Sequence, residues 1–326
     1  RVTSYLEKLV SRLRDGGFQN QLLVMQASGG VMTKEYIDGS PIRVLASGPA
    51  GGVIGSAHTG SAKGAPNLLC VDMGGTSYDM SIVLNGTAPA TSGWNMHHRY
   101  LIGMPMVQVE TLGAGGGSIC QINAGEVQVG PRSAGSDPGP MCYGRGGTEP
   151  TVTDALLMLG ILSADGEFAG GSFSLQKTGV EDAFQVLGDE MGYSAEEAAF
   201  DCWRVVNANM IQAIRRTTAG KGIDPKEMVM LAYGGNGPAF AAVHADALGI
   251  EKVLVPKASP TFSALGTLVA KPTIDEERSC NCSVGSPDLD TMKTMWQQLE
   301  ARALKYFADA KFSGDQIRYQ FLVNMR

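Results

Sequence analysis

Long apolar runs, basic clusters and spaced cysteine pairs are all scarce in this sequence, and each shortage removes a class of protein. No hydrophobic stretch approaches the ~18 residues that a membrane-spanning helix needs. The opening Arg1-Val-Thr-Ser-Tyr5 has no signal-peptide character. Lys and Arg (26) are outnumbered by Asp and Glu (32), giving a net charge of −6, and no basic stripe gathers the cations. Neither a nucleic acid nor an anionic membrane surface is therefore expected as a partner. The six cysteines are scattered over 326 residues apart from Cys280-Asn281-Cys282. That is too few for a disulfide framework, and without C-x-x-C spacing or a nearby His they complete no metal site, so most read as small core residues. With 44% hydrophobic and 18% charged residues, the chain reads as a soluble, cytoplasmic globular protein long enough for two domains. It starts without Met and stops in what reads as a strand, Ile317 to Arg326, so a piece of a longer polypeptide is the expectation.

What is present is organised around residues 68–84. An apolar strand runs into Asp72-Met73-Gly74-Gly75-Thr76-Ser77 and returns as a second strand carrying Asp79. Gly74 and Gly75 can take positive φ and leave backbone N–H groups uncovered, so the turn can wrap an oxyanion, with the Thr76 and Ser77 hydroxyls beside it. Asp72, ending a buried strand, is placed to reach a hydrated Mg²⁺, which takes one or two protein carboxylates and keeps most of its waters. An ordinary hairpin with a Gly-Gly turn would carry the same residues.

Around this hairpin the chain has an α/β rhythm. Val2 to Arg14 has helical apolar spacing, Leu22 to Ala27 reads as a buried strand and Pro41 to Leu45 as another. Ser47 to Gly52 reads as a glycine turn opening a helix over Val53 to Thr59, suited either to an anion or to close helix packing. Asn85-Gly86 signals a tight turn and a third antiparallel strand. His97 and His98, adjacent on a strand, project to opposite faces and do not serve one site. Thr151 or Thr153 caps a helix that Gly160 stops. Ser194-Ala-Glu-Glu197 is a capping box ahead of a long helix to Arg216. Met228 to Tyr233 is a strand entering Gly234-Gly235-Asn236-Gly237-Pro238, whose proline opens a helix containing a packed His244 and ending at Gly249. A parallel strand from Lys252, a helix over Phe262 to Val269 and a long amphipathic helix over Leu289 to Lys311 complete the reading.

Residues 113–147 hold 11 glycines in 35 positions with no three-residue period, interleaved with Ile119, Val127, Val129, Met141 and Tyr143. Collagen and a flexible linker are both excluded by that pattern. An ordered loop region, floor of a cleft or packing surface, remains.

Two glycine corners, a hairpin headed by Asp72 and a strand-to-helix turn at Gly234, match the actin, sugar-kinase and heat-shock-chaperone ATPase architecture, an α/β ribonuclease H-like fold. Gly113 to Ile119, Val129 to Ala155, Ser47 to Gly55, Asp72 to Ser77, Gly234 to Pro238 and Ser263-Ala-Leu-Gly266 closely resemble the hydantoinase A/oxoprolinase family. The resemblance implies that residues 1–285 are the second half of such a fold with a Gly-rich insert at 113–147, and that 286–326 begin a C-terminal region. It implies ATP and Mg²⁺, the latter held by Asp72 through water. Asp72 and Asp79 are the candidate catalytic carboxylates. Gly74, Gly75, Thr76 and Ser77 would hold the terminal phosphates, and Gly234, Gly235 and Gly237 the adenosine. The family commonly has Ala where Asn236 stands, while the turn glycines remain. A first phosphate loop would lie in an N-terminal region outside this chain. Glu110, Asp137 and Arg145 are candidates for the substrate side or for ordering the glycine loops, with a structural ion pair as the alternative.

By the same resemblance, the activity is ATP-dependent phosphorylation of a cyclic amide or imide carbonyl, of hydantoin or 5-oxoproline type, for ring-opening hydrolysis. A small-molecule carbonyl substrate, a hydantoinase B-type partner subunit or domain and an oligomer are implied. Related acetone and acetophenone carboxylases act on enolisable ketones with bicarbonate, and an actin-like nucleotide switch without catalysis is the competing class.

Overall fold

The computed structural model describes all residues except 97–99, 167–170, 172, 281, 284 and 324–326. His97 and His98 thus lie outside the described residues. The chain forms two compact units, one of Gly51–Pro89 with Gln108–Val269, the other of Arg1–Ala50, Ala90–Val107 and Ala270–Arg326.

The first unit is built on a five-stranded sheet. In chain order its strands are β1 (Leu68–Met73), β2 (Tyr78–Val83), β3 (Glu110–Leu112), β4 (Val229–Tyr233) and β5 (Val253–Leu254). They lie in the order β5-β4-β1-β2-β3, with β4 parallel to both β1 and β5, and with β2 antiparallel to β1 and β3. This mixed sheet is the ribonuclease H-like arrangement, and the α/β expectation holds. Alternation along β1 and β2 sends Leu69, Val71, Met73, Tyr78, Met80 and Ile82 into one core with Phe184, Met210, Ile214 and Phe240. Leu68 and Cys70, on the opposite face of β1, are also fully buried, so β1 reads as a nearly unbroken apolar run.

Six helices serve this sheet: α1 (Ser47–Ala62), α2 (Val152–Met158), α3 (Val180–Met191), α4 (Ala195–Gly220), α5 (Gly237–Leu248) and α6 (Phe262–Val269). Capping boxes open α2 at Thr151 and α4 at Ser194, satisfying first-turn amides that would otherwise be orphaned. Asp154 is fully buried and accepts from the amides of Cys142 (2.7 Å), Thr151 (2.8 Å) and Met141 (3.2 Å) and from the Thr151 hydroxyl (2.8 Å). It is the bracket that ties the glycine-rich region to α2. Pro238 stands in the first turn of α5, and Gly249 ends that helix at φ 69°. Tyr78 Oη and His244 Nδ1 are 3.0 Å apart in the core, which makes His244 a packed histidine.

Four readings change. Ser47 to Gly52 is not a turn but the first part of α1, because Gly51 and Gly55 lie against the Ser263 carbonyl and Gly266 of α6, where a side chain would collide. Pro41–Val44 is a 3₁₀ turn rather than a strand, with Arg43 N–H bonded to Ser40 O. Asn85 (φ 52°) and Gly86 (φ 74°) do form the tight turn, but the chain leaves the sheet after a single Leu84–Thr87 bridge. Residues 317–323 have no regular secondary structure.

The other unit carries the helix Val2–Asp15, the short hairpin Leu23–Met25 with Val31–Thr33, and the helix Leu289–Asp309, around a small core of Leu6, Met32, Tyr36, Ile37 and Ala310. No residue of the 289–309 helix is fully buried, so the amphipathic helix expected there lays a half-covered stripe of Met and Trp side chains. Cys70, Cys120, Cys142 and Cys202 are buried and free, as expected, and Cys280 Sγ lies 3.6 Å from Cys282 Sγ. Among the described residues no helix is long and apolar enough to cross a membrane.

Candidate functional site

Asp72 and Asp79 are directly opposed partners in the β1–β2 ladder. Opposed residues of an antiparallel pair share a face, with Cβ atoms about 4.5–5.5 Å apart. Thr111 of β3 continues the row as the partner of Asp79, and its hydroxyl donates to Asp79 Oδ1 at 2.6 Å. Ser263, in the first turn of α6, donates to Asp72 Oδ2 at 3.4 Å. Gly234 (φ 83°) packs so closely on Asp72 Oδ1 and the Met73 carbonyl that no Cβ fits. Burial, then the facing Asp79, raises the Asp72 carboxyl to about 6 against the opposing pull of Ser263. Burial likewise raises Asp79, with Thr111 opposing. Two carboxylates on one face that both resist ionisation are a place where a cation, or a proton, is welcome.

The turn between them closes with Gly74 N–H donating to Ser77 O at 3.1 Å. Neither Gly74 nor Gly75 is in the left-handed region, and a Cβ built on either would meet nothing within 4 Å. Their smallness is therefore not demanded by the turn or by protein neighbours; it leaves the turn bare. The amides of Gly75, Thr76 and Ser77 donate no hydrogen bond among the described residues, and Gly74, Gly75 and Thr76 are exposed. Three successive unpaired N–H groups at an exposed turn can receive an anion.

Gly113 to Gly117 does not form an open floor here. Ala114 through Cys120 are buried. Gly116 N–H donates to Gly74 O (3.0 Å) and Gly117 N–H to Gly75 O (2.6 Å). A Cβ on Gly115 would stand 2.6 Å from Gly75 C and Thr76 N, and one on Gly116 would strike Asn236 and Thr153. The glycines thus let one stretch of main chain brace the 74–77 turn on one side and the Gly234 turn on the other. Asn236 N–H donates to Met73 O (3.0 Å), and Ser259 holds Gly234 from both its amide and its carbonyl (3.0 and 2.9 Å). Gly235 is exposed with open space above it, and Gly237 is buried at the start of α5.

Asp72, Asp79, Gly74 to Ser77 and Gly234 to Gly237 are brought together. Glu110, Asp137 and Arg145 are not part of that cluster. Glu110 pairs with Met80, so it faces the opposite side of the sheet, in an open groove of about 400 Å³ with Arg216 and Lys221. Asp137 is exposed, Arg145 lies 5.3 Å over the Phe173 ring, and the two form no ion pair with each other. The ion pair of this region is Arg132–Glu149 at 2.9 Å. Thr111 and Ser263 were not assigned from sequence; the first requires the β2–β3 register and the second a contact across 191 residues. Among the described residues no group of three His, Cys, Asp or Glu side chains could hold a bare metal ion.

A carboxylate-headed glycine hairpin in a ribonuclease H-like sheet defines the fold class, and the comparisons narrow it. The hydantoinase/oxoprolinase family profile matches residues 1–276. The chain belongs to that family. It is 35% identical to caprolactamase subunit alpha of Pseudomonas jessenii over 99% of this chain and 47% of that protein. A crystal structure of the ATP-dependent caprolactamase from that organism aligns with TM-score 0.76, 34% identity, and 96% and 45% coverage of the two chains. Nucleotide-free acetone carboxylase, from a study of ATP-dependent acetone carboxylation, aligns with TM-score 0.81, 30% identity, and 97% and 45% coverage. The 5-oxoprolinase of Saccharomyces cerevisiae is 32% identical over 93% of this chain and 24% of that protein. The chain thus spans less than half the length of the relatives it matches.

Proposed function

We propose that this chain is the metal- and phosphate-binding part of an ATP-dependent enzyme that phosphorylates the carbonyl oxygen of a cyclic amide or imide, of hydantoin or 5-oxoproline type, so that water opens the ring. The observation that carries the reading is the bare turn, with the free amides of Gly75, Thr76 and Ser77 next to the facing Asp72 and Asp79. Those parts suit phosphoryl transfer, which depends on positioning and charge neutralisation more than on covalent chemistry. ATP supplies the phosphoryl group, and Mg²⁺ screens its charge. Asp72 would accept from water on the cation, and its raised pKa is what a carboxylate awaiting a positive partner has. Asp79, held by Thr111, would order water or metal. The Thr76 and Ser77 hydroxyls would add donors to the terminal phosphate, and the Gly234–Gly237 turn would lie against adenosine. Glu110, Asp137 and Arg145 lie apart from this cluster, so a substrate-side role would require them to act at a second locus.

A hydantoinase B-type partner subunit or domain would complete the activity; the relatives named as subunits support this. A second reading, ATP-dependent carboxylation of a ketone, is supported by the TM-score of 0.81 to acetone carboxylase. Phosphate release by the full-length protein with its partner separates them. Release with hydantoin, 5-oxoproline or a lactam, and a ring-opened acid by mass spectrometry, is the expected result. Bicarbonate-dependent carboxylation of acetone or an aryl ketone, with no ring opening, would overturn the amide reading. Nucleotide binding with no product from either panel would favour a non-catalytic switch.

A further inference from the structure

The chain's negative charge is not spread over its surface. Residues 178–203 hold seven acidic side chains and not one Lys or Arg, while the remainder of the chain is close to neutral. Within the α3–α4 helical hairpin this stretch is α3 with the first nine residues of α4; Arg204 follows it directly and pairs with Asp201 at 2.9 Å, and Arg215 and Arg216 lie further along α4. Local helix chemistry explains only some of the acids. Glu181, Asp182, Glu196 and Glu197 lie in first turns, where carboxylates favour the helix, and Glu197 also completes the Ser194 capping box. Asp189 and Glu190 are in the last turn of α3, where the helix carbonyls repel a carboxylate and no basic residue offsets them. Both are exposed.

The same hairpin exposes large apolar side chains that an acidic solvated face does not need. Val186 is 62% exposed, Phe200 47% and Tyr193 39%. Phe200 stacks on Trp203 with ring centroids 5.6 Å apart and planes 30° from parallel. Exposed apolar and aromatic side chains in an acid-rich helical hairpin mark an interface more often than a solvated face.

We infer that the outer face of the α3–α4 hairpin is a docking surface for the companion protein subunit, whose contacting face carries Lys and Arg around an apolar centre. A second copy of this chain is disfavoured, because it would set two acid-rich faces against each other. The inference rests on the reading that the protein works with a partner subunit.

The test uses the full-length protein and its separately purified hydantoinase B-type subunit, with Kd measured by calorimetry at low and moderate salt. Asp189→Lys with Glu190→Lys places cations at a helix C-terminus, where they favour the fold. This pair should weaken binding about tenfold or more and flatten its salt dependence. Phe200→Ser should weaken binding about tenfold while keeping the salt dependence. Unchanged Kd in both variants, with the complex intact, overturns the docking surface and leaves the partner reading standing. Self-association of the wild type that these variants abolish would also overturn it, in favour of a second copy. Absence of any complex at every salt concentration removes both the partner reading and this surface.

Discussion

Asp72 sits against Gly234, Ser263 and the facing Asp79, and the sign of the resulting pH dependence follows from its raised pKa of about 6. The folded protein binds this proton more tightly than the unfolded chain does, so the carboxylate favours folding below about pH 4 and opposes it increasingly as pH rises through about 6. Asp72→Asn keeps the shape and removes the charge. Without divalent cations, the variant should therefore melt about 2–4 °C above wild type at pH 8, with the difference shrinking towards pH 4. If the full-length protein has the proposed activity, the same substitution should lower turnover about 10²-fold or more at saturating Mg²⁺. Paired melting curves and steady-state rates check both parts. An Asn variant with wild-type turnover would leave the hairpin a purely structural turn.

Among the elements, α1 and α6 meet backbone to backbone. A methyl on Gly266 would collide with Gly51 O and stand 3.0 Å from Gly55 N, and both helices are too regular to give way locally. Gly266→Ala should cost about 1–3 kcal/mol by urea denaturation. Gly74→Ala, built into open space outside the left-handed region, should stay within about 0.5–1 kcal/mol of wild type. This contrast also marks where sequence was readable. The β1–β2 hairpin, the Ser194 capping box, the Gly234 corner and α6 were legible, because each is written in local spacing, caps or turn residues, whereas the cap of α2 stayed open between Thr151 and Thr153. The helix over Ser47 to Gly52 was not, because its glycines read as a loop until the neighbour they accommodate is known. The same holds for Gly115 to Gly117, taken for a cleft floor or a packing surface: a close approach to Gly75 and a close approach to a ligand look alike in one dimension. Glu110 and Thr111 illustrate register. They are adjacent in sequence, yet alternation puts only Thr111 on the Asp79 face.

On the scale of the molecule, the candidate phosphate turn, its carboxylates and the Gly234 corner all belong to one compact unit, and the chain spans less than half the length of its relatives. That unit contains a brace made solely of main chain, the Gly116 and Gly117 amides on the Gly74 and Gly75 carbonyls. Its consequence can be watched atom by atom as deuterium uptake. Gly116 and Gly117, in a run that looks like the loosest part of the sequence, should take up deuterium as slowly as sheet amides, since both are buried and bonded. Gly75, Thr76 and Ser77, only a turn away, should label within the first time point and slow when Mg-ATP is added to the full-length protein. Free-peptide uptake at Gly116 and Gly117 would contradict the brace, and labelling at Gly75 to Ser77 that nucleotide leaves untouched would contradict the phosphate turn. Slow uptake at Gly116 and Gly117 would make the glycine run kinetically part of the sheet, a rigid mould that fixes where the three receptive amides point before anything binds.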